Sequence, residues 1–181
     1  MELTLEVRPA LSRPELLADP VAAALGGWSI ARAAEVEAAG IDPGLADTAE
    51  FCARYGIALA DSANCVIVAA RRGSVTTYAA CVVTATSRAD VNGLVRRHLD
   101  ARKASFAPVD AVLAATGMEY GGITPIGLPA DWPVLVDPVV ADHPRVVVGS
   151  GIRGSKLWLP GRLLAELPTA RVLAGLGVPV G

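Results

Sequence analysis

A mixed α/β (α+β) fold is what this chain of 181 residues predicts. Two observations point there. Strand-sized apolar runs at residues 65–70 and 146–148 are interleaved with stretches carrying helix start and stop residues. No regular strand-helix-strand alternation, of the kind a doubly wound parallel sheet requires, runs along the chain. A chain of about 100–200 residues generally builds one substantial core. Residues 41–181 are expected to form that globular body, with residues 1–40 as an N-terminal extension packed on or beside it.

Taken in order, residues 1–26 contain Pro9, Pro14 and Pro20 and read as an irregular arm with short helical pieces, broken by Gly26-Gly27. Residues 28–39 fit a strand or a helix equally well. Gly40 to Gly44 has turn chemistry. A helix ending at Tyr55 follows, starting at Leu45 or Thr48. Asp47 and Glu50 have capping-box spacing, and Gly56 stands where a left-handed terminator is wanted. Residues 65–70 read as a buried strand, Arg71 to Ser74 as a turn, and residues 75–84 as the hairpin partner. Residues 88–99, capped by Ser87, have the spacing of an amphipathic helix, with Val91, Leu94, Val95 and Leu99 on one face. A strand at 103–106 precedes a helix opened by Pro108 and closed at Gly117. Strands at 134–136, 145–148 and 156–159, a helix at 161–167 and a Gly- and Pro-rich tail complete the chain.

Composition excludes several classes. Hydrophobic residues make up 52%, charged residues 19%, and mean hydropathy is +0.45, which is incompatible with a disordered chain. No run approaches the ~20 apolar residues of a membrane span, and the alternating start lacks a secretory signal, so no membrane partner and a cytoplasmic location are expected. Cys52, Cys65 and Cys81 are spaced as neither a disulfide framework nor a metal site. With only His98 and His143 besides, no metal is expected. With a net charge of −2 the chain as a whole is not basic enough for tight non-specific nucleic-acid binding. A local basic segment, Arg88, Arg96, Arg97, His98, Arg102 and Lys103, fits either a solvated helix face or a phosphate contact.

Two glycine-rich loops are the candidate chemistry. Gly149-Ser150-Gly151-Ile152-Arg153-Gly154 fits G-x-G-x-x-G after a strand. A dinucleotide site needs a helix next, and residues 156–160 read as a strand, so no dinucleotide cofactor is expected. A P-loop fails because Ser155 separates Gly154 from Lys156. Ser150 lacks the context of a serine nucleophile. A plain turn and an amide nest for an anion or carbonyl remain. The second loop, residues 117–127, includes Tyr120, Gly121, Gly122, Thr124 and Pro125. Its glycines allow backbone amides to approach a ligand closely.

The order of these segments resembles the YbaK family of aminoacyl-tRNA deacylases and synthetase-associated editing domains. The resemblance covers residues 45–168. It rests on Asp61-Ser62-Ala63-Asn64-Cys65-Val66-Ile67-Val68, Ala101-Arg102-Lys103-Ala104-Ser105-Phe106-Ala107, the 117–127 loop, Val134-Leu135-Val136-Asp137 and the 148–154 loop. It implies a mixed β-barrel-like sheet flanked by helices. It implies hydrolysis of the ester joining a wrong amino acid to the 3′-terminal adenosine of tRNA, with the aminoacylated acceptor end and an aminoacyl-tRNA synthetase as partners. Amides at Gly122, Gly149 and Gly151 would hold the carbonyl, and Asn64 would orient the ribose. Tyr120, Gly121, Thr124, Pro125, Asp137, Ser150, Arg153 and Gly154 would contact substrate, and Lys103 and Lys156 would meet tRNA phosphates. Many members carry a lysine where Asn64 stands, so that catalytic residue is not carried over. A catalytically silent aminoacyl-tRNA or small-ligand binding module is therefore the alternative.

Overall fold

The computed structural model describes residues 5–180. The first four residues of the alternating N-terminal segment and Gly181 lie outside them. The strands are β1 (Arg8–Pro9), β2 (Glu37–Gly40), β3 (Ala63–Arg72), β4 (Val75–Thr84), β5 (Ser87–Ala89), β6 (Lys103–Phe106), β7 (Val134–Val136), β8 (Val146–Gly149), β9 (Ser155–Leu159), β10 (Ala170–Val172) and β11 (Gly177–Pro179). The helices are α1 (Asp19–Gly26), α2 (Ile30–Ala33), α3 (Thr48–Tyr55), α4 (Arg96–His98), α5 (Val109–Thr116), α6 (Pro138–Ala141) and α7 (Arg162–Ala165).

The mixed α/β expectation matches this architecture, but the strands do not close into a barrel. They form a sheet of order β1-β2-β9-β8, a second of order β10-β7-β4-β3-β6 and a small β11-β5 pair. Among the described residues a single bridge, Ser62 to Val147, links the two larger sheets. The β3-β4 hairpin is the longest pairing, running from Ala63↔Thr84 to Arg72↔Val75. Its turn is only Gly73-Ser74, with Gly73 at φ 61°, so Arg71 and Arg72 belong to the strand.

Tertiary contacts decide the stretches that local pattern leaves open. Residues 28–39 divide into α2, capped by Ser29 Oγ, and β2, which inserts between β1 and β9. Val21, Leu25, Val36 and Ala38 from this N-terminal part are fully buried in the main core with Ile126, Val136 and Leu157. The expected helix at 88–99 does not form as one piece. Its first residues become β5 because β11, from the Gly- and Pro-rich tail, pairs with them. The Asp90 carboxylate, not Ser87, then caps a π-turn over Val91–Val95 by accepting from Gly93 N at 3.0 Å and Leu94 N at 2.8 Å. The apolar face survives, since Val91 and Val95 remain buried. Asp47 precedes α3 as expected, yet its side chain makes no capping bond. Gly56 and Gly117 end α3 and α5 at φ 67° and 66°.

Candidate functional site

The end of the β3-β4 hairpin, the start of α3, helix α5 and both glycine-rich loops surround a cavity of about 480 Å³. That volume suits a small ligand or the end of a larger one. Ala63, Val66, Ile67, Val112, Leu113, Ile123 and Val148 make most of its wall apolar, and Thr48, Ser62, Asn64 and Lys156 supply polar groups. Phe106 and Tyr120, 70% and 61% exposed, line it from the solvent side.

The two loops meet because glycine leaves room. A Cβ on Gly149 would lie 2.5 Å from Gly122 O and 2.6 Å from Ile123 O, and one on Gly122 would lie 2.5 Å from Ile152 O. Such approaches exclude any side chain. The crossing is stitched by Gly151 N to Gly122 O at 2.8 Å, Glu119 N to Gly151 O at 2.8 Å, and Arg153 N to a Glu119 carboxylate oxygen at 2.7 Å. The Arg153 side chain adds a bond from Nε to Pro43 O at 2.8 Å.

This stitching corrects the donor assignment. The Gly122 N–H donates to Glu119 O at 3.0 Å and the Gly151 N–H to Gly122 O, so neither is free for a carbonyl. Gly121 and Ile123 both line the cavity, and their N–H groups find no acceptor among the described residues. They are the donors this loop leaves available.

Asn64 lies on the wall. The Thr48 hydroxyl donates to its Oδ1 at 2.6 Å, leaving both Nδ2 hydrogens without a protein acceptor among the described residues. Gly149 and Tyr120 also line the cavity. Thr124, Pro125, Asp137, Ser150, Gly151, Arg153 and Gly154 do not. Ser150 is buried against Ser155, at 2.5 Å between hydroxyl oxygens. Thr124 is fully buried, and its hydroxyl has no partner among the described residues. Asp137 is committed to structure: one carboxylate oxygen accepts from Val139 N at 2.9 Å, the other from Gly177 N at 2.6 Å. Arg153 is committed to the loops. Gly154 accepts from Ile41 N at 2.9 Å.

The two lysines part company. Lys103 is exposed beside Arg88 and Asn92 in a separate groove. Lys156 is only 7% exposed and lines the cavity, so it is not placed to meet a surface phosphate. Its Nζ donates to Ala46 O at 2.9 Å and sits 5.4 Å from the Phe51 ring centroid. Burial pushes its pKa below the usual 10.5, partly opposed by Cys52 and Asp47. The sequence signal was its position immediately before the apolar run Leu157-Trp158-Leu159: a lysine in a fully buried strand is rare without a polar task. Thr48 was missed because its partner Asn64 is 16 residues away.

The cavity holds no ready nucleophile. Burial pushes the Cys65 thiol far up, which keeps it protonated and unreactive. Neither histidine lines the wall; His143 Nε2 lies 3.1 Å from Asp61 Oδ1 elsewhere. Among the described residues no group of three His, Cys, Asp or Glu side chains could hold a metal ion, and no helix is long and apolar enough to cross a membrane.

The fold and cavity define a mixed α/β domain that presents main-chain donors, an asparagine and a buried cation to one apolar pocket. The chain belongs to the aminoacyl-tRNA editing domain family, whose model matches residues 42–167. Among solved structures it is similar to the hypothetical protein APE2540, at 22% identity and a TM-score of 0.72, over 86% of this chain and 99% of that one. It is also similar to a protein described as a candidate trans-editing enzyme for prolyl tRNA synthetase, at 17% identity and a TM-score of 0.71, over 96% and 99% of the two chains. At these identities the likeness is one of fold. No curated protein matches the chain.

Proposed function

We propose that this protein is a trans-editing deacylase, hydrolysing the ester of mischarged aminoacyl-tRNA. The observation that carries the reading is the convergence of both glycine-rich loops and Asn64 on one cavity. An ester is already activated, so catalysis requires placement of the acyl carbon and stabilisation of the developing oxyanion more than a protein nucleophile. The Nδ2 hydrogens of Asn64 would bond a hydroxyl of the terminal ribose, with Thr48 fixing the amide's orientation. The amides of Gly121 and Ile123 would donate to the carbonyl oxygen. The amino-acid side chain would lie against Val112, Leu113 and Ile67, and discrimination would follow pocket size at ~1–3 kcal/mol per methylene. Attack would come from water or the neighbouring ribose hydroxyl. The partners are the aminoacylated acceptor end of tRNA and the synthetase that supplies it, in the cytoplasm.

The test is deacylation of a panel of mischarged tRNAs by the purified protein. Hydrolysis of at least one above background, lowered about tenfold or more in Asn64→Ala, is expected; no hydrolysis of any substrate refutes the enzyme reading. The absence of the family lysine at position 64 favours a second reading, a silent binding module. It predicts binding of a nonhydrolysable aminoacyl-adenosine analogue without turnover.

A further inference from the structure

Lys156 is a buried cation in no ion pair among the described residues: the Asp47 carboxylate on the same cavity wall favours its charge but makes no bond to it. The lysine is 7% exposed, yet every ion pair among the described residues lies elsewhere, and most of them are on the surface. An ammonium carries three N–H donors. One is spent on Ala46 O at 2.9 Å; the other two have no acceptor among the described residues. The fold holds it rigidly: Lys156 pairs with Ala39 of β2 on one side and Gly149 of β8 on the other. It therefore stands beside the glycine at which the two loops cross, and lines the same cavity as Asn64. Taking a charge out of water without pairing it is unfavourable, and a chain has no structural reason to do so in a fully buried strand. The missing partner is supplied by whatever enters the cavity, and it must be negative or become negative there.

We propose that Lys156 is a catalytic residue whose ammonium stabilises the oxyanion formed at the acyl carbon during ester hydrolysis. The inference rests on the deacylase reading and supplies the positive charge that Asn64 does not. As the water oxygen bonds to the acyl carbon, the carbonyl π pair moves onto the carbonyl oxygen, which takes a hydrogen bond from Nζ. Collapse of the tetrahedral species breaks the bond between the acyl carbon and the ribose oxygen. The ribose oxygen receives the proton released by the attacking water, and the freed carboxylic acid ionises to solvent. Lys156 keeps its own proton throughout.

The experiment compares two nonhydrolysable aminoacyl-adenosine analogues, made with each of a panel of side chains. One has a neutral amide in place of the ester; the other has an anionic, tetrahedral phosphonate. Binding to wild type, Lys156→Met and Lys156→Arg is measured by calorimetry, with thermal melting to confirm that each variant is folded. Wild type is expected to prefer the phosphonate. Lys156→Met should lose about 10²-fold in phosphonate affinity, within the range for a lost oxyanion donor, with amide binding changed less than about threefold. Lys156→Arg should retain part of the preference. An unchanged phosphonate preference in Lys156→Met overturns the proposal while leaving the deacylase reading intact. Failure of wild type to bind either analogue with any side chain overturns both. A Lys156-dependent preference in a protein that deacylates no tRNA overturns the catalytic assignment together with the deacylase reading.

Discussion

If the Lys156 charge is retained for a ligand, the empty protein should be more stable without it. Consider Lys156→Met, which keeps the length of the stem and removes the ammonium. The wild-type folded state bears the desolvation of a buried ion, several kcal/mol. It recovers about 1.5–3 kcal/mol from the charged hydrogen bond to Ala46 O and ~0.5–2 kcal/mol from the Phe51 ring. The deficit that methionine would relieve is about 1–2 kcal/mol, corresponding to a Tm rise of about 2–8 °C for a chain of this size. Differential scanning calorimetry at neutral pH measures it. The pH dependence has a definite sign. Burial lowers the folded-state pKa of Lys156, while the unfolded chain keeps a value near 10.5. Between those two values the unfolded chain binds the extra proton, so wild-type stability gains as pH rises through that window. Below the window both states are charged and the penalty is full. The advantage of the methionine variant should therefore shrink as pH climbs toward 10.5. A variant Tm equal to or below wild type at neutral pH would show that the ammonium is already satisfied, and the argument from an unpaired charge would fall.

Other perturbations separate the site from its scaffold. Asn64→Ala removes the amide that Thr48 orients and should lower kcat/KM for deacylation about tenfold or more, the scale of a lost hydrogen bond, with little change in Tm. In Gly149→Ala the new Cβ meets Gly122 O and Ile123 O, so melting should show a loss of ~1–3 kcal/mol from overpacking, and deacylation should fail because the loops are pushed apart. Asp137→Ala strands the N–H groups of Val139 and Gly177 and should cost ~1–3 kcal/mol of stability. Deacylation by that variant at a temperature where it stays folded should match wild type, which would distinguish a structural aspartate from a substrate contact.

Local chemistry was enough for several parts of this molecule. Gly73-Ser74 between two apolar runs specifies the β3-β4 hairpin, and Pro108 with Gly117 delimits α5, because turn and cap residues act within a few positions of themselves. The two glycine-rich loops were legible too, since only a backbone that must pass close to another needs glycine so often. What the sequence could not reveal depends on partners far along the chain. Residues 87–89 became a strand because the tail at 177–179 pairs with them, a contact that overrides the helical spacing of the apolar residues that follow. The loop crossing uses the amides of Gly122 and Gly151 internally and leaves those of Gly121 and Ile123, an accounting that exists only once both loops are folded together. Lys156 looked like a surface cation by residue type. Pairing of β9 between β2 and β8 placed it inside the pocket, because a strand hydrogen-bonded on both edges carries all its side chains into whatever packs against the two faces of its sheet.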